Sequence, residues 1–181
     1  MTRPLAITLN ALALYAVAIV LLAAFAGQLL LGELPCPLCL LQRILFAMLA
    51  IGPMLNIRHG PRPSHYALSL LAAVVGAVVS GRQILLHILP GDPGYGSALF
   101  GLHFYTWALI AAVGVVCYVA LVFVLKDVAG ERAGSAPIGG LASNASFAIF
   151  TLLVAANLLS TVLECGAGQC EDNPVRYLLL K

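Results

Sequence analysis

The chain has 181 residues, of which 62% are hydrophobic and only 9% charged, where an average soluble domain is roughly one-quarter charged. A soluble fold of this size cannot hide so much apolar surface, so its solvent is expected to be largely lipid. The net charge of +2 gives no argument for nucleic acid, and none is expected as a partner.

The first apolar run, Leu5 to Leu31, follows Arg3 and contains Ala24-Phe25-Ala26, features also found in secretory leaders. It is longer than the ~15-residue apolar core of such leaders and long enough for the ~20 residues that cross a bilayer, so a retained helix is expected. Four further runs follow: Leu40–Ile57, Tyr66–Leu89, Leu99–Leu125 and Ala145–Leu163. Backbone polar groups cannot be left unpaired in lipid, so each run is predicted to be helical. The breakers fall between them, at Gly32 to Pro37, Pro61 and Pro63, Pro90 to Gly94, and Gly130 to Gly140. The expected fold is an all-α integral membrane bundle of five transmembrane helices, one domain over residues 1–181, ending in a tail over 164–181.

Arg3, Arg58, Arg62, Lys126 and Arg132 fall on one side of this arrangement. Arg43, Arg82, Arg176 and Lys181 fall on the other, with Arg43 and Arg82 inside the spans. The positive-inside rule then places the N-terminus in the cytoplasm and the tail outside. Cys36, Cys39, Cys165 and Cys170 all face the outer, oxidising side. The glycosylation sequon at Asn144 falls on the cytoplasmic side and is discounted. Cys117 lies mid-span and reads as a buried small hydrophobe.

Cys36-Pro37-Leu38-Cys39 is a C-x-x-C opening the second span. A helix N-terminus favours a thiolate, the reactive form in disulfide exchange. Arg43, four residues after Cys39, falls on the same helical face about 6 Å away. There it adds positive potential beside the sulfur and offers a rigid donor to an electron-rich oxygen such as a quinone carbonyl. The plain alternative is a structural disulfide pinning the first loop, although so small a ring gains little by constraining the unfolded chain. Between Cys165 and Cys170, Gly166 and Gly168 make a spacer open to another protein; a staple on the tail is the alternative. Four cysteines also match a zinc-ligand count, but the spacing differs from the compact knuckles of structural zinc sites, and no metal is expected.

Ionisable residues inside spans are functional candidates. Arg82 either snorkels to the interface or points inward beside Arg43 toward a cofactor head group. His87 either rests in the interface or donates a hydrogen bond or proton to a reduced quinone. His103, Tyr105 and Trp107 fit an interfacial aromatic belt, with a ring-binding pocket as the alternative for Trp107.

The eight residues from Cys36 to Arg43, CPLCLLQR, resemble the hallmark of the disulfide bond formation protein B (DsbB) family, C-x-L-C-x-x-[QE]-R at the start of the second transmembrane helix. Gly81-Arg82-Gln83, with His87 and Pro90, is similar to that family's third helix, and the resemblance covers roughly residues 1 to 125. Better-known members have four helices and a second cysteine pair between the third and fourth. Here that loop, Gly91 to Phe100, has no cysteine, and a fifth span carries Cys165 and Cys170 to the outer face. The resemblance implies a thiol:quinone oxidoreductase of the bacterial inner membrane. It would reoxidise a periplasmic DsbA-like thiol oxidase and pass the electrons to the membrane pool of ubiquinone or menaquinone, the known DsbA–DsbB–quinone route that keeps the periplasm oxidising. It further implies that Cys39 faces the quinone, that Cys36 exchanges with the second pair, and that Arg43 supports the quinone and the Cys39 thiolate. Arg82 and His87 correspond less closely, and Cys165 and Cys170 correspond in role alone. Two other readings stand beside this one. A vitamin K epoxide reductase-like enzyme would place its loop cysteines before the C-x-x-C, the reverse of the order here. A non-enzymatic membrane scaffold would use both pairs as structural disulfides.

Overall fold

The computed structural model describes residues 3–129, 140–166 and 168–180; Arg132, Lys181 and most of the Gly130 to Gly140 connection lie outside them. The elements are α1 Arg3–Leu30, α2 Pro37–Leu49, α3 Ile51–His59, α4 Pro63–Leu86, β1 Ala98–Leu99, β2 Leu102–His103, α5 Phe104–Ala129 and α6 Leu141–Cys165. α2 and α3 together make one crossing, Pro37–His59, and among the described residues five segments are long and apolar enough to span a membrane. The fold is the expected all-α membrane bundle.

Several span limits differ from expectation by a few residues, and two of the differences shape the loop above the site. α4 stops at Leu86 rather than Leu89, and α5 begins at Phe104 rather than Leu99. Residues 98–103 instead form a small antiparallel hairpin, pairing Ala98 with His103 and Leu99 with Leu102. Its turn residues, Phe100 at φ 53° and Gly101 at φ 80°, share the positive φ that a two-residue hairpin turn of the I′ type requires.

The second crossing breaks at Ala50 for a local reason. Pro53 has no N–H to give to the Leu49 carbonyl four residues back, and its ring crowds that carbonyl. The Ser69 hydroxyl on α4 donates to it instead, at 2.7 Å. α4 reaches that close because position 52 is glycine, where a Cβ would collide with Ser69 Oγ and the His65 carbonyl.

α2 and α3 lie at the centre, packed on α4, which packs in turn on α5; α1 packs on α6 and α3. Leu14, Leu21, Ala50, Ile57 and Phe150 join α1, the central crossing and α6. Large apolar side chains such as Leu71, Val78 and Leu152 are exposed on the flanks, as a lipid-facing surface requires. Cys117 is on that surface too, contrary to the expected burial; a weakly polar thiol needs no partner in hydrocarbon.

At the end remote from the cysteines, a polar chain ties three helices together. Asn10 Nδ2 donates to Tyr66 OH at 2.9 Å, and Asn56 Nδ2 donates to Asn10 Oδ1 at 2.9 Å. Asn56 Oδ1 in turn accepts from the Arg62 N–H at 3.1 Å and faces His65 Nδ1 at 2.9 Å. Interhelical bonds of this kind contribute on the order of 0.6 kcal/mol each. α1 and α5 make no comparable contact, and the gap between them at the cysteine end holds the candidate site.

Candidate active site

Cys36 is the N-cap of α2, in an extended conformation, and its sulfur accepts from the Cys39 N–H at 3.2 Å. Pro37 opens the helix, where its missing N–H costs nothing. Cys36 and Cys39 are disulfide-bonded, with Cα atoms 5.0 Å apart. Cys165 and Cys170 form a second disulfide, Cα atoms 4.7 Å apart. Each disulfide thus joins the two cysteines of one local pair.

Cys39 and Arg43 line one cavity of about 310 Å³ between α1, α2, α5 and the loops above them. This volume lies at the lower end of small-molecule sites. Phe46, Tyr95, Phe104, Tyr105 and Trp107 supply aromatic wall, and Ile19 and Val20 open it to the flank of the bundle. Cys36, 7% exposed, lies behind Cys39, away from the lining.

The Arg43 guanidinium is held in place by three hydrogen bonds. Nη1 donates to Gln28 Oε1 at 2.6 Å and to Asn157 Oδ1 at 3.3 Å, and Nη2 to the Ala24 carbonyl at 2.9 Å. One Nη2–H and the Nε–H have no partner among the described residues, and the group borders the cavity. A planar, pre-oriented fork with spare donors suits a carbonyl oxygen.

Gln28 is fixed from its other end. Its Nε2 donates to Ser160 Oγ at 2.7 Å, to Tyr177 OH at 2.9 Å and, more loosely, to Glu164 Oε2 at 3.4 Å. Glu164 is 2% exposed, and its Oε1 has no hydrogen-bond partner among the described residues. α6 and the tail are thus built into the arginine's surroundings.

Behind the disulfide, Gln83 Nε2 lies 3.4 Å from Cys36 Sγ and 3.5 Å from Cys39 Sγ. Gln42 Nε2 donates to Gln83 Oε1 at 2.9 Å and fixes which way that amide points. A donor shared between both sulfurs can stabilise whichever one carries charge when the bond opens.

The loop above the cavity is tied down. Ser97 donates from both its N–H, at 3.1 Å, and its hydroxyl to the Glu33 carboxylate. Tyr95 OH donates to the Leu34 carbonyl at 2.7 Å. Burial, then the nearby carboxylates of Glu164 and Glu33, push the Tyr95 phenol above its ordinary pKa. Its proton is therefore held for that bond.

Residues 6–97, just over half of the chain, match the family model described as disulfide bond formation protein DsbB. The chain belongs to the DsbB family. Proteins named disulfide bond formation protein B are among its relatives. That from Xanthomonas axonopodis pv. citri (strain 306) is 44% identical over 70 residues, covering 36% of this chain and 41% of the relative. That from Nitrosomonas eutropha is 39% identical over 67 residues, covering 35% and 41%. That from Marinobacter nauticus is 40% identical over 76 residues, covering 40% and 45%. The matches thus span less than half of these relatives' length. No solved structure gives a significant match.

The DsbB match ends before α5 and α6, so the α6 contacts to Arg43 and Gln28 lie outside it. Among the residues expected from sequence, Cys39 and Arg43 meet at the cavity, with Cys36 directly behind. Arg82 does not join them. It is exposed, outside the lining and without a hydrogen bond or ion pair among the described residues, which corrects the inward-pointing alternative. A one-residue step, about 100° around a helix, separates it from Gln83, which does face the sulfurs. His87 caps α4, pairs through Nδ1 with Asp92 Oδ1 at 3.0 Å and stacks on Tyr105 at 5.7 Å. It reaches the cavity wall only through Tyr105. Trp107 lines the cavity, its Nε1 donating to the Leu99 carbonyl. Gln28, Asn157, Glu164 and Tyr177 were not candidates from sequence, and Gln83 entered only as part of the stretch resembling the third helix. For Gln28, Gln83 and Asn157 the available signal was an uncharged polar residue inside a span; Glu164 falls just beyond the expected end of the fifth span at Leu163, and Tyr177 lies in the tail, where nothing in the sequence marks it.

Proposed function

We propose that this DsbB-family chain is a membrane thiol:quinone oxidoreductase supporting disulfide bond formation. On this reading it reoxidises a thioredoxin-like, DsbA-type thiol oxidase on the outer face of a bacterial inner membrane. The observation that carries the reading is one cavity, open to the bundle's lipid flank, lined by both a cysteine of the Cys36–Cys39 disulfide and a fixed arginine with unused donors. A scaffold with two structural disulfides needs neither the cavity nor the arginine.

The lining fits a quinone head group: aromatic and apolar walls for a planar ring, and polar groups confined to Arg43, Gln28, Gln42 and the loop above. Bound there, ubiquinone or menaquinone would supply a two-electron, two-proton acceptor. Arg43 would hold a carbonyl oxygen with its spare N–H groups, and Trp107, Tyr105 and Phe46 would hold the ring faces. Gln83 would steady the sulfur left negative when the Cys36–Cys39 bond opens. Electrons would reach this pair by thiol–disulfide exchange with Cys165–Cys170, which a partner thiolate opens first. Because Cys36 is only 7% exposed, that exchange requires whatever covers it to move aside.

The test uses purified protein in detergent, a reduced thioredoxin-like oxidase and a soluble ubiquinone analogue, followed by quinone absorbance. Loss of reduction in both Cys39→Ala and Cys165→Ala is expected. Reduction that survives Cys165→Ala demotes the tail to a staple. No reduction with any thiol partner or quinone leaves the scaffold reading in place.

A further inference from the structure

We infer that the two tail sulfurs have unequal parts: Cys170 receives the partner's thiol, and Cys165 is the sulfur released. The inference rests on the relay proposed above and specifies the step at which the partner enters it. Cys165 is the last residue of α6 and is 5% exposed. Cys170 is half-buried, between the exposed Gln169 and the exposed acids Glu171 and Asp172.

The cover over Cys165 comes from the chain itself. After Cys170 the tail returns along the end of α6. The Leu178 N–H donates to the Glu164 carbonyl at 3.1 Å, and the Leu179 N–H to the Leu163 carbonyl at 3.0 Å. Leu179 sits so close over Gly166 that a Cβ there would touch it. Tyr177 adds a third tie by accepting from Gln28. These contacts satisfy carbonyls that the helix end would otherwise leave open, so the cover is part of the helix termination.

A thiolate attacks a disulfide along the S–S axis, from the side opposite the departing sulfur. Approach to Cys170 therefore comes from the side away from Cys165, where the chain is exposed. Cys165, 5% exposed at a helix end whose carbonyls are bonded by the returning tail, offers little room for such an approach. In the favoured step the partner's sulfur forms a bond to Cys170 Sγ while the Cys165–Cys170 bond breaks. The electron pair leaves on Cys165, which takes up from water the proton that the partner's thiol released on ionising. The partner's second thiol then displaces Cys170, leaving a disulfide on the partner and a dithiol on the tail.

The oxidised protein in detergent is mixed with a thioredoxin carrying one active-site cysteine, quenched with N-ethylmaleimide and mapped by mass spectrometry. The expected product has thioredoxin on Cys170 and maleimide on Cys165, at least about tenfold over the reverse. Thioredoxin on Cys165, or on both equally, overturns the inference and leaves the relay standing. Thioredoxin on Cys36 or Cys39 with the tail disulfide intact overturns both. Independently, lone Cys170 in Cys165→Ser should react with a membrane-impermeant maleimide about tenfold faster than lone Cys165 in Cys170→Ser. Equal rates contradict the assignment.

Discussion

Replacing Gln28 by leucine isolates how far the arginine depends on its support. Gln28 is 3% exposed, and its amide oxygen accepts the shortest bond that Arg43 makes, at 2.6 Å. Leucine has nearly the same volume, so packing should change little, but it offers no acceptor. A hydrogen bond to a charged group contributes about 1.5–3 kcal/mol. Arg43 keeps Asn157 and the Ala24 carbonyl, so part of this is recovered by a shift of the guanidinium. If the remainder appears in quinone binding, KM for a ubiquinone analogue rises roughly 10- to 100-fold. The formation of mixed disulfide at the tail should stay within about twofold, because the Leu178 and Leu179 backbone bonds hold the tail without the Gln28–Tyr177 tie and no part of that step passes through Arg43. The assay is steady-state quinone reduction, with thermal unfolding as a control for folding. A folded variant with unchanged KM would show that Arg43 holds its place without Gln28, and the positioning argument would fail.

Gln83→Leu should slow exchange at Cys36–Cys39 and lower stability by about 1–3 kcal/mol, since Gln42 loses its buried acceptor. Adding Gln42→Leu should recover much of the stability but not the exchange rate; recovery of both would remove Gln83 from the chemistry. Ser69→Ala leaves the Leu49 carbonyl without a donor and should cost about 1–3 kcal/mol in a denaturant titration, while Pro53→Ala in the same background, restoring a backbone N–H, should return part of it. Arg82→Gln should leave quinone KM within about twofold; a larger rise would mean that Arg82 does reach the site. Asp92 is held below the usual carboxylate range, first by the Gly94 N–H and then by its bond to His87. Its contribution to the loop is thus complete above the ordinary value near ~4 and is lost as pH falls through the lowered one. Hydrogen exchange over residues 87–97 should show acid loosening in wild type but not in Asp92→Asn, and equal loosening in both would clear Asp92 of the role.

Much of the fold was legible because lipid imposes a single rule on long apolar runs. The sequence also indicated Cys36, Cys39 and Arg43, whose chemistry follows from spacing along one helix. It was less informative where rotation around a helix decides. Arg82 and Gln83 are neighbours in sequence, yet the charged one faces outward and the neutral one faces the sulfurs. The sequence left Arg82 either outward or inward, because a long arginine can leave the bundle, whereas a buried amide must be satisfied within it. The part played by α6 could not be read at all, because Asn157, Ser160 and Glu164 matter only through Gln28 and Arg43, more than a hundred positions away.

The short tether between the tail cysteines has a kinetic consequence. Cys170 lies five positions after a Cys165 fixed at the helix end, so even fully extended Cys170 stays within about 17 Å of the released Cys165. Confinement to so small a volume corresponds to a local concentration in the millimolar range or above. Transfer onward within the chain would then be a first-order event, indifferent to dilution, and only the first encounter with the partner would depend on how much of either protein is present.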